Sequence, residues 1–289
     1  MNAIRPLEIR SWTGPFTERE QRSAADALES GRVLFLPTLP FTVSEDEQAL
    51  LTPEIWDGKS KNIVLPAAGD LRGSSASGET ARQLAAMMKR YSESAGALVR
   101  GLFPTYSRGL EPSSTTYRPL EISGRVYAKP IEDDRKVHVD SFFPSKVTRG
   151  RRILRVFSNV DIENPRLWRV GERFESFAEK FLTRIRKPLP MEVQISKLLG
   201  SRRRHQYDRI MRDLHDQAKL DDDYQSKGIE EFAFPAGSSW MCYTDQVLHA
   251  ALAGRNALEQ TFFLDPESMV DESKSPLRQL ERLTNRTLV

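Results

Sequence analysis

Two of the four histidines in this 289-residue sequence stand in a pattern that can hold a metal ion. In KVHVDSF, His138 and Asp140 are two residues apart. On an extended strand, side chains at i and i+2 leave the same face, so an imidazole and a carboxylate can meet one cation while Val139 points away. His249 lies in SSWMCYTDQVLHAAL, a second strand-like stretch that follows a Pro235-Ala236-Gly237 turn. Two His and one carboxylate bind one side of an ion and leave the other positions open, the arrangement with which non-haem Fe(II) accepts a cosubstrate and O₂. His-x-Asp alone is a common coincidence, and its weight here comes from the two strand contexts.

The elements that must position these residues fall into two textures. Thr17 and Glu20 have capping-box spacing and Gly31 stands at a helix end, so residues 17–31 read as a helix. The apolar run RVLFLPTL, 32–39, reads as a buried strand, and 78–102 as a long helix with Leu84, Met87, Met88, Tyr91, Ala95 and Leu98 on one face. From about residue 115 the chain shows short β-like runs at 123–129, 136–142, 152–160, 229–234, 239–244, 246–252 and 258–264. A mostly helical insertion, 166–224, interrupts them and carries Arg202-Arg203-Arg204. The expected fold is α+β with a mainly β core, a jelly-roll-like single domain over 1–289. Residues 1–114 form an N-terminal α/β support, 115–264 the core and 265–289 a tail.

Composition removes other classes. One Cys, Cys242, cannot build a disulfide scaffold, a thiolate zinc module or an iron–sulfur centre, and on its strand it reads as a small core residue. Forty-three Lys and Arg against 40 Asp and Glu leave a net charge of +3, too small for nucleic-acid wrapping, so no nucleic-acid partner is expected. No run approaches the about 20 apolar residues of a membrane span, and the N-terminus MNAIRPLEIRSWTG lacks signal-peptide organisation. The expected location is the cytoplasm, with attachment to a membrane surface left open. No G-x-S-x-G elbow or Walker loop occurs.

The motif His138-x-Asp140 with His249 resembles the iron motif of Fe(II)/2-oxoglutarate-dependent dioxygenases, whose core is a double-stranded β-helix of the jelly-roll or cupin type. The segments RVLFLPTLPFTVSEDEQALLTPEIWDGKSKNIVLP, VHVDSFFPSKVTRGRRILRVFSNVD and FPAGSSWMCYTDQVLHAAL are similar to the bacterial hydroxylases of 3-deoxy-D-manno-oct-2-ulosonic acid (Kdo), over residues 32–264. The resemblance implies Fe(II) held by His138, Asp140 and His249, with 2-oxoglutarate and O₂ as cosubstrates. It implies hydroxylation at C3 of Kdo in the lipopolysaccharide inner core, giving Ko. The partner is then a Kdo-bearing lipid A glycolipid met at the cytoplasmic face of the inner membrane. Hydroxylation of a protein side chain or a small metabolite is one alternative. A non-catalytic β-sandwich in which His138 and His249 do not converge is another.

Many relatives of that superfamily anchor the distal carboxylate of 2-oxoglutarate with an Arg on the strand after the distal His, but here that strand, ALEQTFFL, carries Glu259 and no Arg. Arg255 in the Gly254-Arg255-Asn256 turn is the nearest candidate, unless it is simply an exposed turn residue. A second candidate is Arg155, which shares a strand face with Ile153, Phe157 and Asn159. On 123–129, Arg125 and Tyr127 share a face suited to cosubstrate or sugar-acid binding, and Lys129 there reads as solvated. Arg149, Arg151, Arg152, the 202–204 run, Arg209 and Arg212 suit an anionic glycolipid. Tyr207, Ile210, Met211 and Leu214 form a helical stripe that reads as packing on its own domain, with a lid, an oligomer contact or a membrane-facing surface as the other readings. His205 and His215 on that helix read as surface residues, and Asp245 as an orienting acceptor for an imidazole or a turn residue.

Overall fold

The computed structural model describes residues 3–185, 205–226 and 230–289. The Arg202-Arg203-Arg204 run and the first residue of the strand expected at 229–234 lie outside the described residues. Ten strands are β1 (Ile4–Pro6), β2 (Val33–Leu36), β3 (Ile63–Pro66), β4 (Leu110–Arg118), β5 (Arg152–Asn159), β6 (Arg166–Val170), β7 (Glu230–Phe234), β8 (Ser239–Tyr243), β9 (His249–Ala253) and β10 (Ala257–Leu264). The described helices are α1 (Glu18–Glu29), α2 (Glu45–Gln48), α3 (Gly78–Leu102), α4 (Phe174–Leu182), α5 (Gln206–Leu220), α6 (Asp222–Gln225) and α7 (Pro276–Thr284). Seven strands form one sheet in the order β1-β2-β8-β5-β10-β4-β3, and β7-β6-β9 form a smaller one.

The chain passes between the sheets in a fixed alternation. From β4 in the larger sheet it runs to the segment around His138, which bridges to His249 at the edge of the smaller sheet. It returns to β5, crosses to β6 and β7, returns to β8, crosses to β9 and ends in β10. β10 is buried along its whole length and pairs antiparallel with β4 on one side and β5 on the other.

Period-2 patterning explains the layers. On β5, Leu154 and Val156 face α1 and α3 in one core, while Phe157 meets Trp168, Phe234 and Trp240 between the two sheets. Phe234 and Trp240 stack at 4.1 Å and Trp168 meets Trp240 edge-on at 5.5 Å. Each such buried aromatic contributes about 1.5–3 kcal/mol of transfer free energy. On the outer side of the smaller sheet, Val137, Val139, Leu248 and Ala250 pack against α4, α5 and α7. The residues between them, His138 and His249, are therefore turned inward. Helix α1 starts with the anticipated box: Glu20 N–H donates to Thr17 Oγ1 and Thr17 N–H to Glu20 Oε2.

Several expectations need correction. Residues 123–129 are turn and irregular chain, because neither alternating face of SGRVYAK is apolar enough to bury, and Val126 is 97% exposed. Residues 136–142 form a single bridge rather than a full strand. The insertion does not begin as helix: RLWRV is β6, the central strand of the smaller sheet, and alternates Arg166, Trp168 and Val170 inward. Residues 244–248 turn before β9 begins. Within residues 1–114, β1 and β2 extend one edge of the larger sheet and β3 the other.

Candidate metal centre and anion cavity

His138 and His249 form a cross-strand pair that exchanges both main-chain hydrogen bonds, His138 N–H to His249 O at 3.0 Å and the reverse at 2.9 Å. Residues directly opposite in such a pair project from the same face, which brings the rings to 4.9 Å. Asp140 is fixed by its own N–H donating to Thr244 O at 2.7 Å. One ligand atom from each of His138, Asp140 and His249 lies within 4.8 Å of the others. The ring nitrogens are assigned by their partners. His138 Nδ1 faces Lys136 O and His249 Nδ1 faces Val247 O, both at 2.8 Å. A carbonyl only accepts, so each Nδ1 carries the hydrogen and each Nε2 presents its lone pair. Burial lowers both imidazoles, His138 to about 3, keeping them neutral and able to ligate. Burial opposes ionisation of Asp140, yet the Arg155 guanidinium 3.0 Å from its Oδ2 holds the carboxyl well below the usual range. Two neutral imidazoles and one carboxylate, clustered and buried, fit a divalent first-row metal.

Above these side chains lies a cavity of about 1100 Å³. Nine Lys and Arg line it against four carboxylates, so it suits anions. From the larger sheet, Arg155 spans Asp140 and Glu259, with Nη1 3.2 Å from Glu259 Oε1, and Arg118 donates to Glu259 Oε2 at 2.8 Å. Burial would raise Glu259, but Arg155 and Arg118 pull it below its ordinary 4.5. From the smaller sheet, Trp168 lies over the His249 ring at 5.2 Å. Beside it Arg166, 3% exposed, donates to Gly254 O at 3.0 Å and has no carboxylate partner among the described residues. Burial, with Arg118 and Arg125 nearby, lowers it to about 9. Arg118 and Arg155 thus gather on Glu259, with Arg166 lining the same cavity unpaired by any carboxylate among the described residues, a basket of three arginines.

The sequence candidates separate cleanly. Arg155 lies in the cavity beside the ligands, and Arg125 and Tyr127 also line it. Arg125 donates to Glu121 O and Leu120 O, and the Tyr127 hydroxyl is buried without a hydrogen-bond partner. Asn159 is not in the cavity: its amide donates to Asn164 O and Phe234 O at the strand end. Arg255 is not there either, because its Nε binds Asp161 at 3.0 Å in a turn where the side chain is 47% exposed. Asp245 orients no imidazole; it pairs with the fully buried Arg152 at 2.8 Å. Arg151 pairs with Glu111, and neither it nor Arg149 or Arg152 lines the cavity. His215 is not a surface residue but lines the cavity 5.0 Å from the His138 ring, whereas Lys129 is exposed as expected. Cys242 is buried in the core.

Sequence reasoning missed Arg118, Arg166, His215 and Lys219. The alternation in RLWRV could have found Arg166, since it shares a face with Trp168 and Val170.

Comparison with known proteins places this geometry in context. A family model described as 3-deoxy-D-manno-oct-2-ulosonic acid (Kdo) hydroxylase matches residues 11–287. Among solved structures, the Kdo hydroxylase KdoO, a non-heme Fe(II) alphaketoglutarate-dependent dioxygenase, is similar along nearly the whole chain. Its complex with alphaketoglutarate and Fe(III) is 39% identical with a TM-score of 0.89, covering 99% of this chain and 97% of that one. Its cobalt(II) complex is 40% identical at a TM-score of 0.90 with the same coverage, and its complex with succinate and Fe(III) is 40% identical at 0.89. No curated protein sequence matches the chain.

Proposed function

The chain belongs to the Kdo hydroxylase family, and from that premise we propose that it adds a hydroxyl to C3 of Kdo in the inner core of lipopolysaccharide, giving Ko. It is an Fe(II)/2-oxoglutarate-dependent dioxygenase. The observation that carries the site assignment is the convergence of His138, Asp140 and His249 on one point beneath a cationic cavity. The strand order also supports reading β4, the His138 segment and β5 to β10 as the eight strands of a double-stranded β-helix.

In this reading His138 Nε2, Asp140 Oδ1 and His249 Nε2 hold the iron. Iron with 2-oxoglutarate and O₂ supplies the oxidising power that turns a C–H bond into C–OH, with succinate and CO₂ as coproducts. The protein binds, orients and excludes water. Lys136 O and Val247 O fix the two imidazole planes before any ligand arrives. Arg155 shares its charge between Asp140 and Glu259, which holds the carboxylate ligand ionised and aimed. Arg166, the buried cation without a carboxylate partner among the described residues, takes the distal carboxylate of 2-oxoglutarate, with Arg118 beside it. Trp168 seals the His249 side with an apolar face.

No described helix is long and apolar enough to cross a membrane. The cavity lining includes Lys59, Arg125, Lys129 and the exposed Val126, which supports work on a glycolipid from the cytoplasmic face of the inner membrane. The test is succinate release by the Fe(II)-loaded protein with and without Kdo-bearing lipid A, under isotopically heavy O₂. Stimulated release and a lipid heavier by one labelled oxygen are expected. Release indifferent to that lipid rejects the substrate.

A further inference from the structure

The reaction brings two carboxylic acids into one cavity, the cosubstrate and a sugar acid, and among the nine cations lining that cavity two groups approach the metal triad from different elements. The arginines of the sheets reach the metal triad at Asp140, through Arg155. A second group comes from α5 and reaches it at His138, whose ring meets that of His215 edge-on at 5.0 Å.

Arg212, His215 and Lys219 follow i, i+3, i+7 spacing, so they share one helix face, and all three line the cavity. Met211, Leu214 and Ala218 turn another face into the outer helix layer. Lys219 is 2% exposed, an unusual place for an ammonium group. Its Nζ donates to Ile131 O at 3.0 Å, while the nearest carboxylate, Asp134, is 3.9 Å away and already bound by Lys61 at 2.8 Å. An ammonium offers three N–H donors. Arg212 binds Asp216 Oδ2 through Nε at 3.0 Å. His215 Nδ1 lies 2.7 Å from Asp216 Oδ1; the carboxylate accepts, so Nε2 carries a lone pair.

We propose that this inner face of α5 is the recognition site for the sugar acid, with Lys219 and Arg212 taking its carboxylate. The inference rests on the Kdo hydroxylase reading and deepens it by naming the side chains that read the substrate. It assigns the two cation groups to the two acids: the sheet basket to 2-oxoglutarate, the α5 face to Kdo.

The test separates two Michaelis constants. Lys219→Met is expected to raise KM for the Kdo substrate about 30-fold and Arg212→Gln about 5-fold, as loss of one partner of a charged hydrogen bond does. KM for 2-oxoglutarate should stay within about twofold, and Lys219→Arg should recover most of the loss. Titration of the metal-free protein with a methyl glycoside of Kdo should rank the variants the same way. An unchanged KM for Kdo, or an equal rise in KM for 2-oxoglutarate, overturns the assignment. Arg212, at 30% side-chain exposure, supplies the decision if Lys219→Met does not fold. Wild-type protein that neither binds nor turns over any Kdo compound overturns the functional reading itself, whereas Kdo turnover with unshifted variants overturns only the α5 site.

Discussion

The metal triad and the arginine basket are joined by a single ion pair, Arg155 to Asp140, yet they are built on opposite principles. The triad is held by main chain. Each imidazole donates through Nδ1 to the carbonyl two residues before it, and the two histidines exchange both backbone hydrogen bonds. The basket is held mainly by side-chain ion pairs: Arg155 and Arg118 share Glu259, and Arg166 has only the main-chain carbonyl of Gly254. The first is shaped by the sheet whether or not an ion is present. The second is short of a counter-charge until an anion enters. Removing a cation from the basket should therefore not destabilise the free protein, whereas removing its carboxylate should.

The largest effect is expected for Asp140→Ala. It removes a ligand and also strips Arg155 of one partner, so metal affinity and succinate release should fall by roughly 100-fold or more. Metal content after dialysis and single-turnover succinate yield measure the two; retained iron with retained turnover would refute the triad. Arg166→Met comes next and sharpens the contrast. KM for 2-oxoglutarate should rise about 30-fold, while the free protein should unfold at an equal or higher temperature, because a buried cation without a carboxylate partner is exchanged for an apolar chain. A clear fall in Tm with unchanged KM would show Arg166 to be structural instead.

These two regions were not equally legible in the sequence. His138-x-Asp140 could be read because i, i+2 spacing fixes a shared face wherever the backbone is extended, and a single bridge sufficed. His249 needed only to stand in another strand. The basket is a tertiary construction, drawing Arg118 from β4, Arg155 from β5, Arg166 from β6 and Glu259 from β10, four strands in two sheets. Nothing local links them. Arg166 was hidden by reading 166–224 as helix, although RLWRV has a period of two. The buried face of α5 was hidden differently: charged side chains at helical spacing usually mark a solvated face, and only burial of Lys219 and His215 reverses that. Glu259, noticed first as a departure from the expected Arg, is the carboxylate around which Arg118 and Arg155 gather.

Glu259→Gln tests the side-chain half of the comparison by stability. It leaves Arg118 without its carboxylate and Arg155 with Asp140 alone, so a loss of about 3 kcal/mol is expected, typical of a broken buried pair. The pH dependence has a defined sign. The folded pKa of Glu259 lies below its ordinary 4.5, so its contribution is present above 4.5 and fades as pH falls through the folded value. Denaturant titrations between about pH 3 and 6 should therefore show wild-type stability falling with acid, and a shallower fall in Glu259→Gln. Parallel curves would mean that Glu259 does not carry the charge balance of the basket.

The smallest effect is expected at Arg255, where closeness in sequence to His249 made an anchor plausible and tertiary position removes it. Its guanidinium binds Asp161 at 3.0 Å on a side chain 47% exposed, and Asp161 is held independently by Asn256 and by the N–H groups of Glu163 and Asn164. A half-exposed pair of this kind is screened by solvent, so Arg255→Ala should cost no more than about 0.5 kcal/mol. KM for 2-oxoglutarate should change by less than about twofold, since the lost group never meets the ligand. Measured beside Arg166→Met, this variant asks whether anion binding follows distance along the chain or position in the sheets. A rise at Arg255 equal to that at Arg166 would mean that the turn closes over the cosubstrate, and the basket would lose its claim to the carboxylate.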